Sequence, residues 1–133
     1  MQDRSEGDRA ISRLEREMNS IATSNIRFPQ KILKMNIAFE KAVTPWEHKG
    51  DDRVLSGIRN AAGAAVTQMV SIEISADQGL PGEDIHDKEA RLKSIQNEIS
   101  AIPWLAGGFK SSIDLEITFV KAKVRYGEEH PKR

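Results

Sequence analysis

A chain of 133 residues and 14.9 kDa fits one domain, 1–133, long enough to bury roughly two-thirds of its unfolded surface without a covalent staple. Its 20 Lys plus Arg balance 20 Asp plus Glu, which argues against a chain-wide pull on nucleic acid or an acidic membrane. The absence of cysteine excludes disulfides, thiolate catalysis and cysteine-based zinc sites, and fits a reducing compartment. The first residues, "MQDRSEGDRAISRLEREM", are too charged for a signal peptide, and no apolar run approaches the roughly 20 residues of a membrane span. The expectation is a soluble, cytoplasmic protein.

Ile11, Leu14, Met18 and Ile21 recur at spacings of 3, 4 and 3, which predicts a first helix over about 6–23 with frayed initial residues. A narrow stripe of this kind suits a two-helix seam, so these four residues are candidate dimer contacts. "ATSN" reads as a break. Pro29 then suits the first turn of a second helix, whose Ile32, Met35, Phe39, Ala42 and Val43 share an arc of about 100°. Pro45, in "TPW", ends that element by disfavouring helical geometry at Thr44.

Asp51 or Asp52 can cap a third helix, along which Leu55, Ile58, Ala62, Ala65, Val66 and Met69 repeat at helical spacing. The small residues of "AAGAAV" allow a neighbouring helix to approach closely, while Gly63 weakens the helix itself. Val70, Ile72 and Ile74 alternate with polar residues and predict a strand over 68–75. "ADQGLPGED" has loop punctuation, and Asp84 can cap a fourth helix with Ile85, Leu92, Ile95, Ile99 and Ile102 as its stripe, stopped by Pro103. "WLAGGFKSS" reads as a loop with two flexible glycines. Ile113, Leu115, Ile117 and Phe119 then alternate with polar residues, and the apolar parity switches to Val120, Ala122, Val124 and Tyr126. A strand over 112–126 with a bulge accounts for the slip. The last residues, about 127–133, read as a mobile polar tail. The predicted fold class is therefore α+β: four helices with a small antiparallel sheet from 68–75 and 112–126. An all-α helical bundle is the alternative.

Charge is segregated. Residues 25–50 hold five bases against two acids, a net +3, and residues 71–100 hold three bases against seven acids, a net −4. Wound as a helix, Arg27, Lys31, Lys34 and Lys41 gather within about 40° of Arg27, a face that can sit on phosphates or on the acidic segment of the same or a second chain. Lys121, Lys123 and Arg125 would share one face of the last strand, either tracking phosphates or protecting a sheet edge. Trp46 and Trp104 each adjoin a proline at an element end and are candidate interface anchors.

Catalytic signals are sparse. "EHKGDD" and "GEDIHD" place carboxylates beside a histidine without EF-hand spacing. "AGGF" lacks a phosphate-loop pattern, and Ser100, Ser111 and Ser112 lack a nucleophile-elbow context. His48, His86–Asp87 and Asp114, in that order, resemble the H…HD…D order of the HD-type metal phosphohydrolases. That resemblance covers four residues and implies a metal-dependent hydrolase on His48, His86, Asp87 and Asp114. The family carries its ligands on helices, whereas Asp114 falls in a predicted strand and His48 in a turn; His86 and Asp87 equally suit an ordinary helix first turn.

No cofactor or resident metal is expected. The leading functional expectation is a non-enzymatic interaction or assembly protein acting through homodimerisation, of the viral or phage accessory type. A nucleic-acid-binding module using the basic helix face is the alternative.

Overall fold

A computed structural model describes residues 4–77 and 85–129, with side chains over 6–74 and 86–126. It contains five helices in chain order: α1 Arg4–Ala22, α2 Phe28–Lys49, α3 Asp52–Asp77, α4 Ile85–Ser100 and α5 Gly107–Glu129. The helix α3 packs on all four others, and the described residues contain no strand. The all-helical bundle is the architecture, and the predicted sheet is absent from it.

Both predicted strands are helix, and burial explains why. In α3, Val70 and Ile74 are four residues apart and buried beside Val66 and Met69, while Ile72 points outward. In α5, Ile113, Ile117 and Val120 are buried and Val124 packs against the core. Their spacing, 4–3–4, is that of one helix face. The parity switch at Val120 is therefore the helical period itself, with no bulge involved.

Two further boundaries moved. Helix α2 runs through Pro45 to Lys49. The proline has no N–H to give the Lys41 carbonyl, and one residue earlier the Thr44 hydroxyl donates to the Glu40 carbonyl at 2.7 Å. The helix ends where Gly50 takes φ 66°, with its own N–H on Glu47 O and the Asp51 N–H on Trp46 O. The "AGGF" glycines lie in the first turn of α5, where Ala106 O accepts the N–H groups of Phe109 and Lys110. Asp51 caps α3 as expected, its carboxylate accepting the Val54 N–H at 3.3 Å. The predicted cap at Asp84 lies outside the described residues. The predicted loop opens at Ala76 and the predicted mobile tail at Gly127, yet Ala76 and Asp77 end α3 and residues 127–129 end α5; the rest of both, 78–84 and 130–133, lies outside the described residues.

A β-carbon at Gly108 would meet nothing within 4 Å. Gly108→Ala is therefore expected to stabilise the fold by about 0.5 kcal/mol, through lost freedom of the unfolded chain and better helix propensity. Chemical denaturation checks this.

Glycines set the close crossings. A β-carbon at Gly7 would strike Val54, and one at Gly57 would strike Ile11, so α1 and α3 each receive a side chain of the other over a glycine. Gly63 lies under the Phe109 ring of α5 in the same way, which is the close approach that "AAGAAV" predicts. On α1, Leu14 and Met18 are buried in the chain's own core, and Ile11 and Ile21 pack against it. The α1 stripe is thus filled from within by α2 and α3.

Glu98 on α4 is half-buried, and burial pushes its carboxyl above the ordinary value. The folded chain holds this proton more tightly than the unfolded chain. Between the ordinary and the raised value, stability contributed by this group falls as pH rises. Glu98→Gln is expected to be the more stable protein at neutral pH and to match the parent below the carboxylate range; unfolding midpoints across pH measure it.

Candidate functional site

Helix α5 carries apolar residues on two opposite faces. Leu115, Phe119, Ala122 and Tyr126 repeat the 4–3–4 spacing of the core face, displaced by two residues. At 100° per residue they share an arc of about 60°, centred roughly 160° from the buried one. Leu115 is 72% exposed, Phe119 63% and Tyr126 64%. Apolar side chains aligned on one exposed face are the usual mark of an interaction surface. A smaller exposed pair, Leu33 and Ile37, stands one turn apart on α2.

Polar residues flank the α5 stripe. On one side, the Ser71 hydroxyl of α3 donates to the Glu116 carboxylate at 2.9 and 3.2 Å. Lys123 is on the same flank, its Nζ 5.2 Å from the Phe119 ring centroid. On the other side, Arg125 pairs with Glu89 of α4 at 2.9 Å. Lys121 Nζ and Asp114 Oδ1 both meet Gln96, at 3.5 and 3.2 Å.

This arrangement breaks up the second basic set. As a strand, Lys121, Lys123 and Arg125 would share a face. As a helix, Lys123 lies away from the other two, and Arg125 is paired.

The α2 basic face is altered at one position. Lys31 is only 4% exposed, and its Nζ donates to the Ala22 carbonyl at 2.9 Å. It closes the C-terminal end of α1, where helix carbonyls lack partners and the dipole favours a cation. Lys31 is therefore a structural residue with no surface left to offer a phosphate. The α2 helix packs against α1, α3 and α4, so its buried arc is about 40° wider than its apolar residues predict and takes in Lys31 and Ala38. Arg27, Lys34 and Lys41 stay exposed.

Both tryptophans serve the fold. Trp46 is buried within α2, with Lys49 Nζ 4.3 Å above its ring. Trp104 stacks on Phe39 at 4.4 Å and 13°, and its Nε1–H donates to Asn36 Oδ1 at 2.7 Å. The stacked pair walls an open cleft of about 620 Å³, rimmed by Glu40, Glu47 and Arg59. Its lining holds no serine, threonine, histidine or lysine, and its ionisable groups are Glu40, Glu47 and Arg59.

The HD-like order does not assemble. His48 lies near the end of α2 and Asp114 on α5, and these helices do not pack together. Among the described residues, no group of three or more His, Asp or Glu could hold one metal ion. No described helix is long and apolar enough to cross a membrane.

Comparison with known proteins finds no match to a family model, a curated protein or a solved structure.

Sequence reasoning had every residue of the α5 stripe in view and assigned them to a strand. The signal that separates the two is the doubled 4–3–4 spacing across 113–126.

Proposed function

We propose that this chain is a non-enzymatic interaction module that works through self-association. One observation carries the reading: α5 keeps a full apolar stripe outward while an equivalent stripe on its opposite face fills the core. Surface helices of small domains ordinarily spend one apolar face on the core and leave the other polar. Here the second face matches the core face in spacing. A second helix is the natural cover for such a stripe, because side chains spaced 4–3–4 interdigitate with those of a neighbouring helix.

The test is mass in solution, by sedimentation or light scattering at about 50 mM and about 500 mM salt, with and without a generic oligonucleotide. The expected result is a dimer that survives high salt and ignores the oligonucleotide, because its seam is apolar. A monomer at every concentration would remove the reading. So would mass gained only with oligonucleotide at low salt, which would move attention to Arg27, Lys34 and Lys41.

A further inference from the structure

The outward stripe of α5 is complementary to itself when reversed. We infer that two copies of this chain pair α5 antiparallel to α5, about a two-fold axis level with the midpoint between Val120 and Lys121. This rests on the self-association proposed above and adds to it the surface, the direction and the register.

The argument is one of position along the helix. Leu115 and Tyr126 lie equally far from that midpoint, as do Phe119 and Ala122. In the antiparallel pair, Leu115 stands level with the partner's Tyr126, and Phe119 with the partner's Ala122. The largest ring thus meets the smallest side chain, the alternation of bulk that lets two helices interdigitate. A parallel pair would instead set Phe119 against the partner's Phe119 and Ala122 against the partner's Ala122, crowding one layer and emptying the next.

Charge selects the same direction. Glu116 and Lys123 sit on one flank of the stripe and nearly straddle the same midpoint. Antiparallel helices place like flanks together, so Glu116 faces the partner's Lys123, and the two-fold axis repeats the pair. In a parallel pair that flank would face Ser111, Thr118 and Arg125 of the opposite helix, which gives Glu116 no cation at its own level and sets Lys123 near a like charge. Glu116 is held in place by the Ser71 hydroxyl, and Lys123 already lies beside the Phe119 ring at the edge of the seam. Antiparallel helix dipoles add a smaller term of the same sign.

Size sets the expected strength. Three large side chains about two-thirds exposed offer roughly 100–150 Å² each. Two copies then bury roughly 600–900 Å² from these residues, short of the roughly 1,200 Å² at which stable interfaces begin. The dimer is therefore reversible, and its population depends on concentration.

The experiment is sedimentation equilibrium of the full chain from about 1 μM to about 500 μM. The variants are Phe119→Glu, Glu116→Lys, Lys123→Glu, the Glu116→Lys/Lys123→Glu double and, on α2, Leu33→Glu. Far-UV circular dichroism and a thermal scan confirm that each is folded, as expected for positions on the outer face. Phe119→Glu is expected to weaken association at least tenfold. Each single reversal should weaken it several-fold, because like charges then face each other twice. The double variant should recover most of the loss, although it too lacks the Ser71 contact. A chain that is monomeric throughout overturns both this inference and the self-association reading. A dimer indifferent to Phe119→Glu, or one dissolved instead by Leu33→Glu on α2, leaves self-association standing and overturns the α5 surface. Loss with Phe119→Glu and no recovery in the double variant overturns the antiparallel register.

Discussion

Ile117→Ala is expected to lower unfolding stability by about 2–5 kcal/mol, and Leu115→Ala by less than about 0.5 kcal/mol. The two residues are chemically alike and two positions apart. In a strand they would share one face and cost alike. In α5, Ile117 is fully enclosed and Leu115 is 72% exposed. Truncating Ile117 loses the transfer energy of three carbons and leaves a cavity where α5 meets the core, which close-packed neighbours fill only in part. Truncating Leu115 removes atoms that water already touches. Urea unfolding at low protein concentration, where association through α5 is minimal, gives the comparison. Equal costs would restore the strand.

Lys31→Glu is expected to cost about 3–5 kcal/mol, and Lys31→Met about 1–3 kcal/mol. Methionine keeps the apolar stem but leaves the Ala22 carbonyl without its donor. Glutamate goes further, placing a buried carboxylate against the negative end of the α1 dipole, where nothing compensates it. Lys34→Glu, on the exposed side of α2, should change stability by less than about 0.5 kcal/mol. Thermal unfolding of the three variants measures this. The contrast also bears on function, since a loss of nucleic-acid binding after charge reversal at Lys31 would report unfolding. Lys34 and Lys41 are the residues that test such binding cleanly.

The ion pairs Lys49–Glu6 and Arg53–Asp8 tie the start of α1 to α2 and α3, at 3.5 and 3.1 Å. Both are substantially exposed, so they contribute little to stability and mainly fix how α1 lies. The interlocked glycines of α1 and α3 decide that crossing more firmly, because they act through excluded volume, which salt does not screen.

The amino-acid sequence by itself determined the stripes of α1, α2 and α4, the first half of α3, a cap for it at Asp51 or Asp52 and the small-residue approach at Gly63. Each depends on neighbours within a few residues, where hydrophobic period, caps and side-chain size act directly. It misassigned 112–126 because α5 has two apolar stripes on opposite faces. Over a short window, opposite faces of a helix superpose into strict alternation, the mark of a strand. Only the tertiary structure decided which stripe is inside, since that depends on where α3 and α4 lie. It likewise decided that Lys31 closes α1 and that Leu14 and Met18 face their own core. Enclosure is set by whichever helix packs across from a residue, and distant parts of the chain supply that helix.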